Sequence, residues 1–119
     1  MAPPLRGEDR QRLGRAGEER AAAWYVERGY TLVDRNWRCR HGEIDLVVRR
    51  GPLVAFVEVK TRGGSAFGSP LEAVTFEKRR RLRRLAAAWI AAAPERPVEV
   101  RFDVVGILPD GLSVIPGAF

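Results

Sequence analysis

The sequence predicts a single α/β domain in which a mixed sheet is flanked by two main helices. Three observations support this fold class: a length of 119 residues that suits one domain, two segments with apolar residues at helical spacing, and five shorter segments with strand-like patterns. These segments follow one another in the order α-β-β-β-α-β-β. We therefore expect one domain over residues 10–119, preceded by a flexible N-terminal tail over residues 1–9, which are rich in proline and glycine.

The first helix is predicted from Arg10 to Arg28, because this segment has no proline and is rich in alanine. Apolar or small residues recur there at helical spacing, at Leu13, Gly17, Ala21 and Trp24. Gly29 follows directly, and glycine commonly ends a helix.

Three strands are expected next, over Tyr30–Arg38, Glu43–Arg49 and Leu53–Thr61. The turn signal Arg50-Gly51-Pro52 separates the last two, which should therefore form an antiparallel hairpin. Alternation gives the third strand two faces that are apolar over most of its length, which is typical of a central strand covered on both sides.

The second helix is predicted after a flexible loop, GGSAFG, over residues 63–68. Ser69 followed by Pro70 fits a helix start, and Thr75 is an alternative cap. The helical pattern continues to Ala93 and stops at the next proline.

Two further strands are predicted over Val98–Leu108 and Leu112–Ile115, joined by the turn Asp110-Gly111. Asp103 lies in the first of them, and we expect it to pair with an arginine.

Composition restricts the function. The formal net charge of +6 suggests a polyanionic partner, of which nucleic acid is the usual one. One cysteine and one histidine exclude an internal disulfide and a zinc-finger site. The N-terminus lacks the apolar stretch of a signal peptide, and the longest apolar run, Leu85–Ala93, is too short to cross a bilayer. We therefore expect a cytoplasmic protein without a membrane partner.

Lysine is scarce in this chain. Of 21 basic residues, 19 are arginine, and only Lys60 and Lys78 are lysine. These two positions are candidates for sites that need a compact, titratable ammonium rather than a planar guanidinium.

The predicted hairpin brings acidic residues together. If Arg49 lies opposite Pro52 to Val54, then Asp45 lies opposite Phe56 to Glu58, next to Lys60. Two close carboxylates repel each other, and a divalent cation, Mg²⁺ or Mn²⁺, would relieve that repulsion. Such a cation would activate water against a phosphodiester, with Lys60 placing the water or stabilising the transition state. A structural ion-pair cluster explains the same three residues.

The sequence also resembles a known group of nucleases. Asp45, followed after twelve residues by Glu58-Val59-Lys60, resembles the PD-(D/E)XK signature, although Ile44 stands where that superfamily often has proline. Segments along almost the whole chain are similar to the bacterial YraN-like family: GRAGEERAA (14–22), NWRCRHGEIDL (36–46), FVEVKTR (56–62), FGSPLEAV (67–74) and RFDVV (101–105). The resemblance implies a restriction-endonuclease-like core and a metal-dependent endonuclease similar to archaeal Holliday-junction resolvases.

The resemblance adds further site residues. Gly14 to Glu18 is similar to the G-x-x-x-E of the resolvases' first helix, which implies that Glu18 is an accessory acid at the metal site. Position in the predicted elements adds other residues. Lys78 shares a helical stripe with Leu82 and should point inward, where it would contact substrate phosphate or a carboxylate at the rim of the site. Arginines around the hairpin are expected to contact DNA, namely Arg38, Arg40 and Arg62.

Two other interpretations stay open at this point. One is a nucleic-acid-binding module that keeps the fold and lacks catalysis, and the other is a structural protein whose charges form an ion-pair network. If the substrate is branched DNA, a symmetric homodimer is expected, because two strands must be handled together.

Overall fold

The computed structural model describes residues 7–61 and 74–119, and for residues 7–13 it describes only the backbone. The elements follow the predicted order: α1 (Gly7–Glu27), β1 (Thr31–Cys39), β2 (Gly42–Arg50), β3 (Leu53–Thr61), α2 (Phe76–Ala92), β4 (Glu99–Leu108) and β5 (Gly111–Ile115). The prediction of a mixed α/β domain with two main helices is therefore confirmed. The proposed loop over residues 63–68, the proposed helix start at Ser69 and the DNA-contact candidate Arg62 lie outside the described residues.

Helix α1 begins at Gly7, three residues before the predicted start at Arg10. Prolines and a glycine suggested a tail over residues 1–9, but Glu8 and Asp9 are residue types favoured in a first helical turn, because their charge complements the helix dipole. The predicted end is confirmed. Gly29 has a φ of 86°, a left-handed conformation that suits glycine, and the N–H of Tyr30 returns to the carbonyl of Tyr25 at 3.1 Å.

The five strands form one mixed sheet in the order β1-β2-β3-β4-β5. Neighbouring strands are antiparallel except for β3 and β4, which are parallel and are connected through α2. Arg49 pairs with Val54, within the register predicted for the hairpin. Strand β3 therefore has two strands on each side of it, which confirms its central place.

The helices cover opposite faces of the sheet. Helix α1 packs Ala21 and Tyr25 against one face, together with Val57 of β3. Helix α2 packs Leu85 and Trp89 against the other face, together with Phe56. Alternate residues of β3 thus enter different cores, as the strand pattern predicted. No helix among the described residues is long and apolar enough to span a membrane.

Thr75 caps α2, which confirms the alternative start of the second helix. Its hydroxyl accepts a hydrogen bond from the backbone N–H of Lys78 at 3.3 Å. This cap fixes the first turn of α2, and therefore the position from which the Lys78 side chain extends.

Helix α1 approaches the sheet most closely at Gly17. A Cβ placed there would lie 2.6 Å from the Thr61 hydroxyl oxygen and 3.2 Å from Cγ1 of Ile107. The absence of a side chain lets the helix contact the end of β3, and the next residue in the helix is Glu18. Gly17 therefore helps to bring Glu18 towards this end of the sheet.

We expect Gly17→Ala to lower the free energy of unfolding by about 1–3 kcal/mol, since the added methyl group overpacks this contact. Gly14→Ala is the matched control in the same helix, because a Cβ at Gly14 meets nothing within 4 Å. The control should gain about 0.5–1 kcal/mol from helix propensity. Urea unfolding of both variants measures the difference, and equal stabilities would show that the close approach is unimportant.

Candidate active site

The hairpin of β2 and β3 brings Asp45 and Glu58 to the same place. The last pair of the β2–β3 ladder is Leu46 with Val57, and Asp45 is one residue beyond it. A carboxylate oxygen of Asp45 accepts a hydrogen bond from the backbone N–H of Val59 at 2.7 Å. Asp45 is therefore held against the part of β3 that carries Glu58, as the predicted register required.

Lys60 lies beside Glu58 on the same face of β3. Its ammonium is 2.9 Å from a Glu58 carboxylate oxygen, and the two side chains are only 25% and 12% exposed. An ion pair at this depth is partly desolvated, so its charges are felt strongly by neighbouring groups.

Lys78 reaches the same place from α2. The charge of Lys60 is the largest influence lowering the pKa of Lys78, followed by burial and by a hydrogen bond between the two lysines. The charge of Glu58 acts in the opposite direction. The only two lysines of the sequence are therefore neighbours in the structure, next to the same carboxylate.

The surroundings of Asp45 disfavour its ionised form. Burial and the charge of Glu58 raise its pKa to about 8, against the lowering influence of the Val59 hydrogen bond. The charges of Glu18 and Glu43 make smaller contributions to this pKa in the same upward direction. Four carboxyl groups from α1, β2 and β3 are therefore close enough to influence one another.

The donor set suits a hard divalent cation. No three or more His, Cys, Asp or Glu side chains among residues 14–61 and 74–119 are arranged so that they could hold a metal ion alone. Magnesium rarely needs such a cage, since it commonly binds through one or two carboxylates and completes its octahedron with water and substrate phosphate. Asp45 and Glu58 could provide those carboxylates. A cation would offset both the burial and the repulsion from Glu58 that raise the pKa of Asp45.

Glu18 lies at the edge of this cluster and is held by Asn36 of β1. The side-chain amide of Asn36 donates to Glu18 at 2.7 Å and to Glu43 at 2.6 Å. Arg35 lies 3.9 Å from the Glu18 carboxylate. The sequence predicts Glu18 near the site but does not predict Asn36 or Glu43 there. An asparagine in the middle of a predicted strand is unusual, and that was the available signal.

The arginines proposed for DNA contact are placed differently. Arg38 is 77% exposed and pairs with Glu43 at 3.1 Å, at a cleft of about 440 Å³ that Glu18 and Asn36 also line. Arg40 is exposed in the turn between β1 and β2. Both are therefore at the same end of the sheet as Glu43, and Arg38 borders the acidic cluster directly.

A second concave surface follows α2 from Lys78. It has a volume of about 500 Å³, and its basic lining residues are Lys78, Arg80, Arg81 and Arg84. This surface lies next to the acidic cluster, because Lys78 lines it and is also a neighbour of Lys60. The side chain of Arg81 also lies near Gly42, so this surface continues towards the turn that carries Arg40.

The chain is similar to proteins of one bacterial family. The model of the uncharacterised protein family UPF0102 matches residues 17–107, a range that includes Glu18, Asp45, Glu58, Lys60 and Lys78. A UPF0102 protein of Clavibacter michiganensis subsp. michiganensis is 59% identical over 82% of this chain and 83% of that protein. A UPF0102 protein of Nocardia farcinica is 54% identical over 84% of this chain and 79% of that protein. A UPF0102 protein of Frankia alni is 56% identical over 78% of each.

Proposed function

This chain belongs to the UPF0102 family, and we propose that it is a divalent-metal-dependent endonuclease of the PD-(D/E)XK type that hydrolyses DNA phosphodiester bonds. One observation carries the proposal. Two repelling carboxylates, Asp45 and Glu58, lie next to Lys60 and Lys78, which are the only lysines of the chain. A cation site beside two ammonium groups is suited to a phosphate group, which is anionic and whose oxygens coordinate metal ions.

A purely structural ion-pair network explains this cluster less well. Such a network gains stability when opposite charges compensate each other. Here the pKa of Asp45 is raised to about 8, so its charged form is disfavoured by burial and by three other carboxylates. The ionised form of Asp45 therefore costs stability in the protein alone, as groups at functional sites often do.

The residues divide the chemistry among them. When bound, Mg²⁺ or Mn²⁺ would supply Lewis acidity for a water nucleophile and for the phosphate. Asp45 and Glu58 would hold the cation, and Val59 fixes the orientation of the Asp45 carboxylate through its N–H. Lys60 would turn from Glu58 to the water or to the developing negative charge, and Lys78 would bind a phosphate oxygen. Glu18 would be an accessory acidic residue, whose carboxylate could accept a proton from the attacking water.

The basic surface along α2 suits the phosphates on one side of the cleavage point. We expect Arg80→Gln and Arg84→Gln each to weaken DNA binding for all sequences, and to reduce the slope of log K against log salt by about 1. Fluorescence anisotropy over a range of salt concentrations measures the slope. Arg96→Gln is the control, since Arg96 is exposed beyond the end of α2. A slope unchanged in both variants would show that this surface does not bind DNA phosphates.

The proposed activity is tested with labelled four-way junction, flap, duplex and single-stranded DNAs, incubated with the protein and Mg²⁺ or Mn²⁺. We expect cleavage that stops when the metal is chelated, and the preferred DNA shape identifies the substrate. Binding without cleavage under either metal would favour a nucleic-acid-binding module of the same fold. If junctions are cleaved, the active form should be a homodimer, which equilibrium sedimentation with and without DNA measures.

A further inference from the structure

Asn36 has an unusual backbone conformation for a strand residue. Its φ is 52°, and it is the only residue besides glycines with a positive φ among residues 7–61 and 74–119. Non-glycine residues rarely adopt this left-handed conformation, and asparagine tolerates it better than most. The surrounding structure must therefore compensate for its cost.

The register of β1 and β2 puts Asn36 opposite Asp45. In the β1–β2 ladder Arg35 pairs with Leu46 and Trp37 pairs with Ile44, so Asn36 and Asp45 are the residues between these two pairs. The backbone irregularity thus occurs at the point where β1 passes the proposed metal ligand.

The side chain of Asn36 joins two carboxylates from different elements. Its amide nitrogen has two hydrogens, and it donates to Glu18 of α1 at 2.7 Å and to Glu43 of β2 at 2.6 Å. Hydrogen bonds to ionised acceptors are stronger than neutral ones, and two of them compensate for an unfavourable φ. One amide group therefore fixes the relative positions of Glu18 and Glu43.

An amide does this without removing negative charge. Asparagine adds no positive charge to the pair, beyond that of Arg35 at 3.9 Å from Glu18 and Arg38 at 3.1 Å from Glu43. The side chains of Glu18 and Glu43 are 13% and 32% exposed and open into the cleft of about 440 Å³. Their remaining acceptor positions are therefore accessible to water.

We propose that Asn36 is a positioning residue that holds Glu18 and Glu43 beside Asp45 as acceptors for the water molecules of the bound cation. This inference rests on the proposed metal site. Magnesium and manganese keep several waters when they bind, and those waters need hydrogen-bond acceptors with fixed positions. Arg35 and Arg38 each lie beside one of the two glutamates, whereas the Asn36 amide joins the two to each other. The influence of both glutamates on the pKa of Asp45 agrees with their closeness to it.

Asn36→Gly removes the side chain but keeps the backbone conformation, because glycine adopts a φ of 52° readily. We expect the variant to keep the melting temperature of the wild type within a few degrees. Its affinity for Mn²⁺, measured on the protein alone by electron paramagnetic resonance, should fall by about 10–100-fold, as is typical when a group that supports metal ligands is removed. Cleavage, if present, should need a correspondingly higher metal concentration while the KM for DNA stays unchanged.

Asn36→Asp is the second variant, since aspartate also tolerates the conformation but presents oxygens to both glutamates. It can therefore no longer donate to either glutamate, and its affinity for Mn²⁺ should fall below that of the wild type. A third variant, Asn36→Gly combined with Glu18→Gln and Glu43→Gln, should lose no more Mn²⁺ affinity than the two glutamate substitutions alone, because Asn36 acts through them.

The outcomes separate this inference from the proposed function. Wild type that binds Mn²⁺ without cutting DNA, with the affinity lost in Asn36→Gly, would support the positioning role and overturn the nuclease proposal. Cleavage by wild type with full Mn²⁺ affinity in Asn36→Gly would overturn the positioning role alone. Wild type that binds no Mn²⁺ would overturn both.

Discussion

Asp45→Asn is expected to abolish cleavage and to make the fold more stable. Asparagine keeps an oxygen that can accept the hydrogen bond from the Val59 N–H, so the local structure should persist. It removes the charge that would bind the cation, and we expect a fall in cleavage rate of about 10³-fold or more, equivalent to about 4 kcal/mol of transition-state stabilisation. The same substitution removes the repulsion between carboxylates.

The stability effect has a defined dependence on pH. The folded pKa of Asp45 is raised from its ordinary value of 3.8 to about 8, so the folded state holds a proton that the unfolded state releases between these values. Stability contributed by this group is therefore complete below about pH 4 and decreases as pH rises towards 8. Asp45→Asn should not show this dependence on pH. Its free energy of unfolding should exceed that of the wild type by about 1–3 kcal/mol above pH 8.

Urea unfolding without metal over a range of pH measures this gain, and Mg²⁺ should stabilise the wild type above pH 8 but leave the variant unchanged. Asp110→Asn is the matched control, because Asp110 is exposed in the β4–β5 turn and asparagine-glycine also forms tight turns. A loss of stability in Asp45→Asn at high pH would contradict the electrostatic account of the site.

Asp103→Asn is expected to cause the largest loss of stability. The Asp103 side chain is fully buried and accepts hydrogen bonds from the Tyr25 hydroxyl at 2.7 Å, from Arg101 at 2.7 and 2.8 Å, and from the Gly117 N–H at 3.1 Å. Burial and the nearby Asp103 carboxylate raise the pKa of Tyr25, so its hydroxyl stays a donor. The NH₂ group of an asparagine at this position would face groups that are themselves hydrogen-bond donors. The substitution would also leave Arg101 without its counter-charge.

We expect Asp103→Asn to lower the free energy of unfolding by about 3–5 kcal/mol, as when one partner of a buried ion pair is removed. Tyr25→Phe is the matched variant, because it removes one of the donors and should cost only about 1 kcal/mol. Denaturant unfolding at neutral pH measures both. Equal losses in the two variants would show that the carboxylate charge is unimportant to the fold.

The residues of the proposed metal site could be located from sequence because their positions depend on local periodicity. A hairpin with a short turn has a restricted register, and alternation then decides which side chains share a face. Asp45 and Glu58 therefore met as predicted. Lys78 followed from the helical spacing of Leu82, which is buried in the same core as the neighbouring strand residues.

Asn36 and Glu43 could not be found in the same way. Their contact depends on a residue with positive φ inside β1 and on how α1 docks across the sheet, and neither is encoded in a short repeat. The pairing of Asp103 with an arginine was predicted and is confirmed by Arg101. The contributions of Tyr25 and Gly117 were not foreseen, since they come from 78 and 14 residues away in the chain.

The most direct test of the proposed site is single-turnover cleavage of one DNA substrate by four proteins: wild type, Asp45→Asn, Lys60→Met and the surface control Arg96→Gln. Each is first shown to be folded by its thermal transition, and each is assayed with Mg²⁺ and with chelator. We predict that wild type and Arg96→Gln cut only with Mg²⁺, while Asp45→Asn and Lys60→Met, both folded, do not cut. Cutting that survives in both of these variants, or a folded wild type that cuts none of the DNA shapes with either metal, would contradict the proposal.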